Sequence, residues 1–156
     1  MNKKGYTLIE IIAVLAILSI IFSTGYCGYK YFRNKKIELS VNQELYEVEE
    51  TLSYGLSYCA SKKIKGEFVI RDYGNYMRVI FKENAGEVIK STKLDGVLGL
   101  KNISYYPVER VLEINGDGYI TSDTITLESK ESGKEYELKT AVGVTTISIG
   151  NWDIYE

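Results

Sequence analysis

Hydrophobic and polar positions divide this chain of 156 residues into three stretches with different periods. Leu8 to Phe22 is apolar at every position except Glu10 and Ser19, and Ser23 to Gly28 is only mildly polar. Further on, the apolar positions thin to one stripe: Ile37, Val41, Leu45, Val48, Leu52, Leu56 and Cys59. Their spacing of 4, 4, 3, 4, 4 and 3 is the helical period. Acidic Glu44, Glu47, Glu49 and Glu50 are expected on other faces. With no proline before Pro107, the pattern predicts one helix from Thr7 to Lys62, on the order of 80 Å long at 1.5 Å per residue.

After Lys65 the period falls to two. Phe68/Ile70, Met77/Val79/Phe81, Val88/Ile89, Val111/Leu112/Ile114, Ile125/Leu127, Tyr136/Leu138 and Ile147/Ile149 predict about seven short antiparallel strands. Turn chemistry separates them at Tyr73-Gly74-Asn75, Asn84-Ala85-Gly86, Asn115-Gly116-Asp117-Gly118 and Ser132-Gly133-Lys134. The expected fold class is α+β: a long amino-terminal helix, its first half membrane-spanning and its second half amphipathic, packed on a carboxyl-terminal antiparallel β-sheet. Fourteen tyrosines suit half-buried sheet faces and contacts between subunits.

A bilayer core needs about 20 apolar residues, with about 17 as the lower limit, so the first stretch spans only if Ser23–Tyr29 is counted. The same pattern behind Lys3 and Lys4 also describes a secretory signal peptide, with Ser23-Thr24-Gly25 at the cleavage point. Bulky Tyr26 before Cys27 argues against a lipoprotein signal. Glu10 decides against a disposable segment. An ionised side chain is costly in hydrocarbon, is functional by default, and needs a partner. The apolar segment holds no Lys or Arg, which leaves Lys3, Lys4 or a group on another chain.

Lys4-Gly5-Tyr6-Thr7-Leu8-Ile9-Glu10 followed by an apolar helix resembles the class III signal of type IV prepilins and pseudopilins. The resemblance implies a pilin-like fold and cleavage between Gly5 and Tyr6 by a prepilin peptidase. It further implies methylation of the new amine at Tyr6, and an assembly role for Glu10 as fifth residue of the mature chain. There the glutamate neutralises the terminal amine of a neighbouring subunit, a pairing strengthened where the dielectric is low. Residues 1–5 are then a leader, 6–29 the transmembrane and filament-core helix, 30–62 the amphipathic half, and 63–156 the β domain. Two departures stand out. Tyr6 replaces the usual phenylalanine, and Cys27 stands where many pilins bend at a proline, with Gly25 and Gly28 able to loosen the helix instead.

The carboxyl-terminal half resembles the H-type minor pseudopilins of type II secretion, on Gly116–Gly118, Ile125-Thr126-Leu127, Gly133 and Ala141-Val142-Gly143-Val144-Thr145-Thr146-Ile147. The family implies a minor structural subunit of a type IV pilus or type II secretion-like pseudopilus. Its implied partners are other pilin subunits, the prepilin peptidase, the assembly platform and motor, and membrane lipid before assembly. It implies a single-pass cell-membrane protein with its carboxyl-terminal domain outside, and an extracellular filament after assembly. The alternative is an exported DNA-uptake or ligand-binding module on an amino-terminal anchor. Orientation rests on the resemblance, because Lys3 and Lys4 precede the apolar stretch while Lys30, Arg33, Lys35 and Lys36 follow it. That second cluster meets phosphate headgroups, acidic faces of adjacent subunits or only solvent.

Composition narrows the chemistry. The chain has no histidine, one proline and two cysteines, with net charge −2. Taking Lys3 and Lys4 from 19 cationic residues leaves 17 against 21 acidic ones, so the mature chain is near −4. Direct nucleic-acid binding is not expected of so acidic a chain. Without histidine there is no Ser-His or Cys-His nucleophile and no imidazole metal ligand. Cys27 and Cys59 are 32 residues apart, about 48 Å on one helix, and cannot bridge each other. Cys59, on the stripe, reads as a small core residue. Paired carboxylates such as Glu49/Glu50 sit on a helix without a pocket signal, so no enzyme activity and no cofactor are expected. Glu113, Asn115, Asp117 and Asp123 space their oxygens like a calcium loop, but Thr124 stands where a bidentate glutamate belongs. A tight Gly-rich hairpin is the preferred reading of that segment.

Overall fold

The computed structural model describes residues 7–101, 106–140 and 148–151. Helix α1 runs from Leu8 to Lys62, 55 residues, in close agreement with the predicted bounds. Lys63 follows it with φ 58, a left-handed residue that stops the helix. Eight strands come after: β1 (Gly66–Asp72), β2 (Met77–Glu83), β3 (Val88–Leu94), β4 (Leu98–Leu100), β5 (Val108–Ile114), β6 (Asp123–Ser129), β7 (Glu135–Thr140) and β8 (Ser148–Asn151). The predicted segment Ala141–Ile147 lies outside the described residues.

The strands form two four-stranded sheets, not the single sheet expected, in the orders β3-β2-β1-β5 and β4-β6-β7-β8. All the strand pairs are antiparallel. The chain builds three strands of the first sheet, lays β4 in the second, returns for β5, and then completes the second. Segment β4 escapes a reading by alternation because Leu98-Gly99-Leu100 is three residues long and buried throughout. Strand β3 is longer than its two apolar residues suggest. It is an edge strand, where Lys90, Ser91 and Lys93 are tolerated beside solvent.

The chain divides into two compact units, Met1–Glu38 and Leu39–Glu156. In the second, the helical stripe is the core: Val41, Leu45, Val48, Leu52, Leu56 and Cys59 are all buried, as are Phe68, Ile70, Val79, Phe81, Leu112 and Ile114 of the first sheet. Gly55 lets the helix close on that sheet. A Cβ there would lie 2.7 Å from the ring of Phe81 and 3.2 Å from Ile114. Tyr58 packs edge-on to Phe81 at 5.5 Å, and its hydroxyl donates to Glu83 Oε1 at 2.8 Å. That bond raises the Tyr58 pKa, and burial pushes the Cys59 thiol up.

Glu44 corrects the sequence reading. It lies on the buried face beside Val41, Leu45 and Val48, where its carboxylate accepts the backbone N–H of Val97 at 3.1 Å and of Leu98 at 2.8 Å. Asp72 acts similarly from the end of β1. It accepts Leu100 N–H at 2.9 Å and Gly74 N–H at 2.7 Å, with the Lys130 ammonium 3.9 Å away. The two buried carboxylates thus hold the short β4 at both ends. Gly99 fits between them because a Cβ would meet Lys130 and Asp72 Oδ2.

Candidate functional site

The first turn of α1 is built around Thr7 and Glu10. Thr7 N–H and Thr7 Oγ1–H both donate to Glu10 Oε2, at 2.7 and 2.9 Å, while Thr7 C=O accepts from Glu10 and Ile11 N–H. A hydroxyl residue three positions before a glutamate is the capping-box pattern, in which the acid satisfies an otherwise orphaned amide and faces the positive end of the helix dipole. Glu10 therefore has a partner within its own chain as well as any it finds outside. Thr7-Leu8-Ile9-Glu10 carries that signal in the sequence, and it gives Glu10 a polar partner that is not a cation.

Beyond this turn the helix surface is apolar on every side. Leu8, Ile9, Ile11, Ile12, Val14, Leu15, Ile17, Leu18, Ile20, Ile21 and Phe22 are between 41% and 76% exposed, so no part of the described fold covers them. Ser19 within the run and Ser23 just after it turn inward: Ser19 donates to Leu15 C=O at 2.8 Å and Ser23 to Ile20 C=O at 2.9 Å. Such back-bonding satisfies a polar group where no water is available. The helix passes through Gly25 and Gly28 without interruption. Its amino-terminal part is long and apolar enough to cross a membrane. Gly5 and Tyr6, the expected cleavage and methylation residues, and the Cys27 side chain lie outside the described residues.

Glu113, Asn115, Asp117 and Asp123 do not converge on a cation cage. Asn115 Oδ1 accepts the N–H of Asp117 at 3.0 Å and of Tyr119 at 2.9 Å, closing a turn on its own backbone. Asp117 pairs with Lys63 at 3.3 Å, and Asp123 accepts Thr124 N–H at 2.7 Å. Among the described residues no group of three or more acids or cysteines is placed to hold a metal ion. The glycines serve packing, because Gly118 has φ +78 and a Cβ there would lie 2.7 Å from Leu56 C=O. The expected tight turn is present: Gly118 N–H donates to Asn115 C=O at 3.0 Å, Asn115 N–H to Tyr119 C=O at 2.9 Å, and Ile114 bridges Ile120 antiparallel, but the pairing stops there and the chain passes from the first sheet to the second.

Residues 1–26 match the prokaryotic N-terminal methylation motif. The amino terminus is thus a signal of the type IV prepilin and pseudopilin type. The motif sits at the head of an exposed helix that is long and apolar enough to cross a membrane, an arrangement suited to membrane anchoring. The general partners of such a motif are a prepilin peptidase and other pilins. No curated protein and no solved structure matches the chain.

Proposed function

We propose that this protein is a minor subunit of a type IV pilus or type II secretion-like pseudopilus. It is stored in the cell membrane with its β domain outside, cut after Gly5, methylated on the Tyr6 amine, and packed helix to helix in a filament. The observation that carries the reading is the methylation motif over residues 1–26, set on a helix whose apolar surface is left uncovered from Leu8 to Phe22. A surface of that size needs lipid or other helices around it.

The motif supplies the chemistry for exchanging one environment for the other. Cleavage creates a charged amine four residues before Glu10. In a medium of low dielectric, an amine of one copy and a carboxylate of the next attract strongly, and each is costly alone. The uncovered apolar surface supports the helix-to-helix packing, while the buried core from Val41 onward keeps the β domain folded.

Mass spectrometry of protein recovered from sheared filaments tests this reading. A mature chain beginning with N-methyl-Tyr6 is the expected result. A chain starting near Tyr26, an intact Met1, or absence from any filament fraction would overturn it.

A further inference from the structure

Past the apolar run, α1 carries four large aromatic residues in seven positions. Tyr26, Tyr29, Tyr31 and Phe32 are between 60% and 72% exposed, and Tyr31 and Phe32 touch edge to face at 5.9 Å. Lys30 lies among them and Arg33, Lys35 and Lys36 follow directly, all exposed. From Leu8 to Ile37 the only acid is Glu10; the next, Glu38, takes Lys35 as its partner at 2.7 Å. The segment is thus strongly cationic in a chain whose total charge is negative.

Both sets go all the way round the helix. At about 100° per residue, Tyr26, Tyr29, Phe32 and Tyr31 fall in different quarters of the circumference, and the four cations fill the spaces between them. A contact with one neighbouring protein would concentrate such residues on one face. A surrounding that is the same in every direction, such as a lipid leaflet, asks for them on all faces. Axial position agrees. Leu8 to Tyr26 spans about 27 Å of helix, close to the hydrocarbon thickness of about 30 Å. Amphipathic rings belong at the boundary of that layer, and long cationic side chains reach from it to the phosphates.

We propose that residues 26–36 form a girdle that binds anionic phospholipid headgroups and sets the depth at which the helix is held before assembly. The inference rests on the membrane-stored reading above and adds the partner of this segment. Aromatic rings fix the boundary, and Lys30 and Lys36 select negative headgroups over zwitterionic ones. Extraction into a filament must break those contacts.

The test uses the full chain with Tyr29→Trp as reporter and Trp152→Phe to remove the native indole, reconstituted in mixed phosphatidylcholine–phosphatidylglycerol vesicles. Bromine is placed on the acyl chains of one lipid at a time. Brominated phosphatidylglycerol is expected to quench the reporter more than brominated phosphatidylcholine. That preference should fall by roughly fivefold per cation removed in Lys30→Gln and Lys36→Gln, and shrink with added salt. Equal quenching by the two lipids, or a preference that survives the double substitution, overturns the girdle. So does quenching that vanishes as chains crowd and cross-link through this segment, which assigns it to a second copy. A chain that washes out of the vesicles at alkaline pH overturns the membrane-stored reading itself, whereas an inserted chain without headgroup preference overturns only the girdle.

Discussion

Glu44 and Asp72 are the residues whose roles depend most on their surroundings. Each is a buried carboxylate satisfied by backbone amides, so each stabilises only while those amides stay in place. Glu44→Ala should leave the Leu98 amide buried without an acceptor and cost about 2–3 kcal/mol. Glu44→Gln keeps one acceptor oxygen and should cost about 1 kcal/mol. Urea denaturation of the two variants checks this, and equal losses would show that the amides find water once the acid is gone. The buried position of Glu44 is hard to read in the sequence because a glutamate beside apolar Leu45 looks like any solvated helix residue. Only the arrival of Val97 and Leu98, more than 50 positions later, gives it a partner. Asp72 was half legible: an Asp two residues before a glycine invites a turn, and the Gly74 amide bond fulfils that, but the bond to Leu100 is long-range.

At the scale of elements, the helix was legible because its signal is local and repeated. Seven stripe positions share one period, and six of them, from Val41 to Cys59, are buried, with Ile37 half-buried at the end. Strands were legible where alternation runs for several residues, as in β1 and β2. The split into two sheets was not, because pairing is decided by contacts far apart in the chain: β5 reaches back to β1, while β4 waits for β6. Gly55 is where helix and first sheet press closest. Gly55→Ala would gain about 1 kcal/mol of helix propensity, but its methyl would enter the space of the Phe81 ring, which is fully buried and cannot swing away. Overpacking costs about 1–3 kcal/mol, so a net loss of about 1 kcal/mol is expected. A second change, Phe81→Leu, should relieve the clash. The double variant should then lose less than the sum of the two single losses in thermal denaturation, and strict additivity would place the strain elsewhere.

At the scale of the whole molecule, apolar burial alone does not explain why a helix would leave lipid for a filament. Lipid tails and the helices of other subunits are equally apolar, so the exchange of one cover for the other brings little hydrophobic gain. A polar group that is better satisfied in one place than the other can set the direction, and under the proposed function Glu10, the ionisable side chain among the described residues of the apolar run, is the candidate. Its carboxylate has two possible duties: capping its own helix through Thr7, and meeting an amine on another chain. Glu10→Gln separates them. The amide keeps an oxygen for Thr7 N–H and so keeps the cap, but it has no charge with which to attract an amine. The variant should insert in the membrane and be cut after Gly5 at the wild-type rate, yet be lost from filaments, as read by the ratio of filament-bound to membrane-bound chain. Glu10→Ala, which removes the cap as well, should be lost to a similar degree. If Glu10→Gln instead enters filaments normally while Glu10→Ala does not, the carboxylate serves the helix cap, and the direction of assembly must come from contacts of the β domain.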